Sequence, residues 1–382
     1  MLEIRFLKRE EFQDAVRLAD AVFQLEGQMS MVERFPLAFS SALGQSVGGF
    51  VDGRLVSFIG VVPYIVQIGP ATLHVMAIGS VCTHPDYSGR GYAGAILGFI
   101  QTHARESSVS LLLVSGDGPL YARHGCRPFG GLHRMILRQQ ALSSLPDIEN
   151  GLHVRPVRES DLYHIHTLHR ERAVRFEMSL WDWATAVEAG GFASNKRLRH
   201  QVWVAEQESQ ESQKRQESRI IGFIAAAVPT DAEPKCAPIV IEWGGEPETV
   251  RSLMANVIGR HGLQEMHWCV PSHEQLGDLG MDSAESRQPC TVGIVDPALL
   301  LQQAEAYLKG LCGDSPQAFR WSCGHDRVRL HIEGSLIELN HEEFHAVVFE
   351  PAAAWPERLQ AHPELGRCFP LPFPYTGGLQ YL

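Results

Sequence analysis

The chain has 382 residues, 45% of them hydrophobic and 20% charged, a globular composition long enough for two or three domains of about 150 residues and incompatible with a wholly disordered chain. Thirty-three basic against 44 acidic residues leave a formal charge of −11, which argues against a nucleic-acid binder and suits a cationic, amine-bearing partner. Eight scattered cysteines without C-x-x-C spacing form neither a zinc ribbon nor a redox motif, so no metal is expected. The charged first eleven residues lack a secretory core, so reduced thiols in a cytoplasm are expected.

In chain order, residues 2–6 read as a short strand and residues 10–24 as an amphipathic helix, with Phe12, Ala15, Val16, Leu18, Ala19, Val22 and Phe23 at helical spacing. Residues 26–39 are a helix or a loop. Strands are expected at 46–51 and 54–67 around the turn pair Asp52-Gly53, then at 73–82. Residues 55–85 contain no Asp, Glu, Lys or Arg, but Gly60, Pro63, Gln67, Gly69, Pro70, His74 and Gly79 interrupt the run. Two buried strands joined at Gly69-Pro70 explain it better than a membrane span of ~20 apolar residues. A glycine-rich loop then opens a helix over 92–105. A strand at 109–114, a short helix at 119–124 and a final strand at 131–138 complete the first unit.

A second unit repeats this plan: a strand at 152–157, a helix over 159–172, and a hairpin at 201–205 and 220–228. Ile221-Gly222-Phe223-Ile224 echoes Val56-Ser57-Phe58-Ile59-Gly60, and residues 206–219, rich in Gln, Glu and Ser, form the solvated hairpin loop. A third unit from about Pro289 carries a capped helix after Asp296-Pro297 and strands at 319–323, 327–333, 336–339 and 344–349. The tail from Phe369 to Leu382 is too apolar to hang in water and is expected in a groove.

The chemistry concentrates in Ile78-Gly79-Ser80-Val81-Cys82-Thr83-His84-Pro85-Asp86-Tyr87-Ser88-Gly89-Arg90-Gly91-Tyr92-Ala93. A strand, a glycine loop and a helix start in this order present successive N–H groups to an anion, and no Asp or Glu intervenes between Ser88 and Arg105. An ordinary strand-to-helix turn is the plain alternative. The pattern Val-x-Thr-x-Pro-x-Tyr followed by Gly-Arg-Gly-Tyr-Ala resembles the acetyl-CoA motif of the Gcn5-related N-acetyltransferase (GNAT) superfamily, with Ser88 where Gln or Arg is usual. Tyr121-Ala122-Arg123-His124-Gly125-Cys126 resembles the Tyr-x-x-x-Gly-Phe segment of the same superfamily, with Cys126 in place of the aromatic residue.

The three-unit plan further resembles the enhanced intracellular survival (Eis) family. That resemblance implies an α/β (α+β) fold of tandem GNAT-like mixed sheets flanked by helices. Residues 1–150 would be the catalytic acetyl-CoA domain, 151–288 a degenerate second GNAT-like domain, and 289–382 a sterol-carrier-protein-like domain whose tail reaches the active site. It also implies Tyr121 as general acid and the carboxylate of Leu382 near the reacting centre, and an assembly of identical chains. The backbone of Val81, Cys82 and Thr83 is expected on pantetheine and thioester, Gly89, Arg90, Gly91, Tyr92, Ala93 and Gly94 on pyrophosphate, and Gly116 and Asp117 beside the cofactor.

Residues 73–80 offer no glutamate as base, which leaves His74, Asp117 and the Leu382 carboxylate, ranked with the carboxylate first. Cys82 and His84 as a nucleophile pair, and His166 and His169 as metal ligands, are weaker readings. Trp181, Trp183, Phe23, Phe35 and Phe39 read as core, with Phe35 a candidate for the acceptor pocket. The expected reaction moves acetyl from acetyl-CoA to a primary amine, with no nucleic acid or membrane as partner. The alternatives are a longer acyl group, or a non-catalytic protein that senses acyl-CoA or binds an apolar ligand.

Overall fold

A computed structural model describes residues 1–24, 28–144, 152–208, 218–312, 319–324 and 327–382. The described chain divides into two compact units, one of residues 1–131, 287–374 and Leu382, the other of residues 132–286 and 375–381. Both are mixed sheets flanked by helices.

In the first unit β1 (Leu2–Phe6), β2 (Val47–Val51), β3 (Arg54–Ile68) and β4 (Ala71–Thr83) pair antiparallel in sequence order. Asp52 and Gly53 turn the β2–β3 hairpin with φ of 50° and 76°, as a two-residue turn of this type requires. Gly69-Pro70 turns the next, with Ile68 opposite Ala71. β5 (Leu111–Val114) lies parallel to β4, and a parallel pair needs a crossover. Helix α3 (Tyr92–Glu106) supplies it, burying Ile96, Leu97, Ile100 and Ala104 against Val47, Ile59, Val61, Ile78 and Val114. Of the earlier helices, α1 (Phe12–Phe23) buries Phe12, Ala15, Leu18 and Ala19, and α2 is the single turn Met31–Arg34. Beyond β5 the sheet continues through a distant segment, Thr291–Ile294, and then β6 (Arg127–Pro128), which follows the short helix α4 (Pro119–Arg123).

Two sequence expectations change here. Gly131–Arg138 is a strand, yet it pairs with Glu265–Pro271 in the second unit's sheet and not with the first sheet; the Thr291–Ile294 strand lies beside β5 instead. Residues 344–349 belong to a helix, His341–Phe349. Asn340 caps it by accepting from the Glu343 N–H at 2.9 Å while Glu343 accepts from the Asn340 N–H at 3.0 Å. That reciprocal capping, with the fully buried Phe344, Val347 and Val348 at helical spacing, outweighs the strand preference of Val and Phe.

The other three expected strands form an antiparallel sheet, Phe319–Cys323, Arg327–Ile332 and Ser335–Asn340. Helix Pro297–Cys312 is capped by Asp296, whose Oδ1 accepts from the N–H groups of Ala298 and Leu299 at 2.9 and 3.1 Å. Residues 369–374 of the tail enter the first unit's core. Leu371 N–H donates to Val348 O at 2.8 Å, and Phe373 meets Phe129 edge-on at 5.3 Å.

The second unit's sheet contains the predicted hairpin, Leu198–Glu208 against Ser218–Pro229; the middle of its polar loop, 209–217, lies outside the described residues. The repeat is carried by an ion pair as well as by element order. Arg5 Nη1 and Nη2 donate to Glu11 at 2.7 and 2.8 Å, and Nη1 also to Phe6 O. Six-residue spacing recurs at Arg155, whose Nη1 and Nη2 donate to Asp161 at 2.6 and 3.0 Å and whose Nη1 reaches Pro156 O. In both, a two-pronged guanidinium contact fixes the end of the first strand to the start of the first helix.

Candidate active site

The site begins with an irregularity in β4. Phe58 faces Cys82 and Gly60 faces Gly79, so Ser80 and Val81 together oppose Ile59. Two residues against one make a β-bulge, and Ser80 takes the left-handed region at φ 52°. At the same level β4 and β5 part. Their parallel pairing ends at Ile78–Val114, where Ser115 N–H still reaches Ile78 O at 3.2 Å. β4 runs on to Thr83 without β5, leaving one side of its backbone, Gly79 to Thr83, for an extended ligand.

The chain's last residue stands at this point. Leu382 is buried, at 7% exposure. A Cβ at Gly79 would lie 2.5 Å from the Leu382 Cβ, 2.7 Å from its carboxyl carbon and 3.0 Å from a carboxyl oxygen. Only a residue without a side chain permits that approach. Leu382, one of the residues singled out from the sequence, therefore lies against Gly79 beside the bulge.

Tyr121, on α4, packs half-buried beside the α3 core. Burial pushes its phenol above the ordinary value, with Cys126 adding to the rise, so the group keeps its proton at neutral pH. Gly116 makes room for the ring: a Cβ there would meet Tyr121 Cε2 at 2.9 Å. The Gly116 carbonyl accepts from Thr291 Oγ1 at 2.8 Å. Gly116 is thus a wall of the Tyr121 seat.

A groove of about 360 Å³ lies at the start of α3, lined by Thr83, Ser88, the segment Gly89–Gly94, Leu120 and Arg123. No carboxylate lines it. Gly89 and Gly91 adopt φ of 75° and 80°, a conformation that costs an L-residue roughly 1 kcal/mol or more. The first helical bond runs from Ala95 N–H to Gly91 O at 3.0 Å, which leaves the N–H groups of Tyr92, Ala93 and Gly94 as the helix's unpaired first turn. Arg90 is held by Asp86 O at 2.9 Å and stacks over Tyr87. These features fit a pyrophosphate. Gly91→Ala is expected to raise the KM for the acyl-CoA about tenfold and to change kcat less, as measured by thiol release at saturating acceptor.

Other sequence candidates are resolved by position. His74 lies six residues before Ser80 on β4, about 20 Å away along an extended strand. Its N–H donates to Gln303 Oε1 at 3.0 Å and its ring meets Ser108 O at 3.1 Å, so it is removed as a base. Asp117 is exposed in the loop before α4. Cys82 is buried and its thiol is pushed up to about 12 by desolvation, which disfavours a thiolate nucleophile. The Nε2 atoms of His166 and His169 are engaged by Met178 O and Phe176 O at 2.9 and 3.0 Å, and the described residues contain no group of three or more His, Cys, Asp or Glu placed to hold a metal. Phe35, Phe39 and Trp183 are core, whereas Phe23 and Trp181 are exposed, Trp181 at 77%. Ser80 and Thr291 were not legible as site residues, because a bulge and a strand from 170 residues downstream leave no local pattern. Among the described residues no helix is long and apolar enough to cross a membrane.

Residues 3–129 match the family model described as acetyltransferase (GNAT) domain. A comparison with curated proteins returns no match. Solved structures resemble the chain along its length. A GCN5-related N-acetyltransferase from Kribbella flavida shares 14% identity at a TM-score of 0.63, covering 100% of this chain and 98% of that one. Eis1 from Mycobacterium abscessus shares 13% at 0.61, covering 99% of each. A probable N-acyltransferase from Enterococcus faecalis V583 shares 15% at 0.60, covering 91% and 86%. The chain is therefore an acyltransferase carrying a GNAT domain in residues 3–129, one that uses an acyl-CoA and an amine-bearing acceptor, in a fold similar to that of Eis1.

Proposed function

We propose that the chain transfers acetyl from acetyl-CoA to a primary amine by direct attack within a ternary complex. The observation that carries this reading is the Leu382 carboxylate lodged against Gly79, beside the bulge where β4 and β5 separate. An ammonium must lose a proton before it can attack, and this carboxylate accepts it. The amine lone pair then forms the bond to the thioester carbon, the C–S bond breaks, the departing thiolate takes the Tyr121 proton, and a proton from the newly bonded nitrogen returns to the Tyr121 oxygen, giving an amide, free CoA and the phenol restored. The backbone of Val81, Cys82 and Thr83 holds pantetheine, Gly89 to Gly94 the pyrophosphate, and Gly116 positions Tyr121. Asp117, exposed at the site's edge, is assigned to the cofactor's surroundings and not to proton transfer.

The reading keeps three functional parts, 1–150 for catalysis, 151–288 for shaping the acceptor side, and 289–382, likened to sterol carrier protein, for delivering the tail. It places the protein in the cytoplasm as an assembly of identical chains. The acidic balance of −11 favours polyamines, aminoglycosides or lysine side chains as acceptors. The test is thiol release from acetyl-, propionyl- and octanoyl-CoA with a panel of such amines. Turnover that is fastest with acetyl-CoA and needs an amine is expected. Preference for octanoyl-CoA would change the acyl group, and tight acetyl-CoA binding without turnover for any amine would favour a sensor.

A further inference from the structure

Among the described residues, the buried hydroxyls are satisfied, with one exception at the site. Ser46 Oγ donates to Ala38 O at 2.6 Å, Ser57 Oγ to Cys82 O at 3.1 Å and Ser110 Oγ to His74 O at 3.2 Å. In the second unit Ser252 Oγ donates to Glu248 O at 2.9 Å. Ser80, at 9% exposure, has no hydrogen-bond partner for its Oγ among the described residues. It also holds a left-handed φ of 52°, where glycine would sit without strain. An orphaned hydroxyl and a strained backbone at one residue are two costs that folding alone does not explain, and such outliers concentrate where ligands are handled.

Its place says what the hydroxyl serves. Ser80 lies between Gly79, which seats the Leu382 carboxyl group, and Val81, where β4 has already parted from β5. Ser80 Oγ makes no direct hydrogen bond to that carboxyl group. The oxygen that gains charge during transfer would lie along this stretch, where the backbone of Val81 to Thr83 is expected on the thioester and a side-chain hydroxyl would add a further donor. We propose that Ser80 is a catalytic residue whose hydroxyl donates a hydrogen bond to the thioester carbonyl oxygen as the amine adds to its carbon. This rests on the acyl-CoA lying along β4 as proposed above. The O–H stays on Ser80 throughout; the oxygen of the carbonyl gains and then returns the electron pair when the C–S bond breaks. A preorganised donor of this kind is worth about 100-fold in kcat.

Ser80→Ala and Ser80→Gly are the variants, and two readouts are independent of turnover. The first is the ratio of dissociation constants for CoA and for acetonyl-CoA, an inert analogue that keeps the carbonyl. Wild type is expected to favour acetonyl-CoA, and both variants to lose that preference while binding CoA normally. The second is melting temperature, which Ser80→Gly holds or raises because it relieves the left-handed strain. Alongside, kcat falls about 100-fold in both variants. An unchanged ratio, or a Ser80→Gly enzyme with full kcat, overturns the assignment. A wild type that binds neither CoA nor acetonyl-CoA would instead overturn the reading of the site beneath it.

Discussion

Gly79→Ala is expected to lower kcat for amine acylation by ~100-fold while leaving CoA binding and the melting temperature nearly unchanged. The methyl group would stand 2.5 Å from the Leu382 Cβ and 2.7 Å from its carboxyl carbon, inside the distance at which carbon atoms can coexist. β4 is held on the other side by its ladder with β3, so the mobile party is the last residue of the chain. A displacement of about 1 Å in a proton acceptor is enough for a loss of that size. The backbone of Gly79 is not in the left-handed region, and the three atoms nearest an added methyl group all belong to Leu382. A variant that keeps its kcat would show that the carboxylate's seat is not part of the reaction.

Tyr121→Phe is expected to lower kcat by a similar ~100-fold and to remove one limb of the pH profile. Burial, with Cys126 nearby, raises the Tyr121 phenol above its ordinary value of about 10. A raised value means that the acid is fully protonated at neutral pH and is lost only as pH rises through the shifted value. The wild-type rate therefore falls on the far alkaline side, and the Phe variant, lacking the group, shows no such fall. Because Phe fills the same space beside Gly116, a merely structural role for Tyr121 would leave both kcat and the profile unaltered. Rate profiles from pH 7 to 11 with an acyl-CoA control for spontaneous hydrolysis separate the two.

Most of what positions this site could be read from residue order. Asp52-Gly53 and Gly69-Pro70 mark their hairpins because few dipeptides tolerate those turns, and Gly89 and Gly91 mark the α3 groove because the backbone there needs φ values that L-residues avoid. The apolar tail was legible as a docked segment because Phe369, Leu371 and Phe373 have nowhere else to go. What escaped depends on distant partners. The strand Thr291–Ile294 is four residues long and carries no period of its own. It joins the sheet because β5 and β6 leave it an edge, and Gly131–Arg138 crosses to the other sheet for the same kind of reason. The helix His341–Phe349 was hidden by β-branched and aromatic residues, although Asn340 and Glu343 were present as its cap. Ser80 lay inside the stretch that carries the chemistry but drew no role from the sequence, since its meaning lies in a torsion angle and in a hydrogen bond that is not made.

The most direct test concerns one charge at the end of the chain. Joining a synthetic C-terminal segment that ends in a carboxamide in place of the Leu382 carboxylate keeps every carbon atom and removes the proton acceptor. Thiol release with a reactive amine should then fall by two orders of magnitude or more, with CoA affinity intact and activity partly restored at high pH, where the free amine needs no base. Full activity of the carboxamide at neutral pH would contradict the account, and would move the search for the base away from the tail.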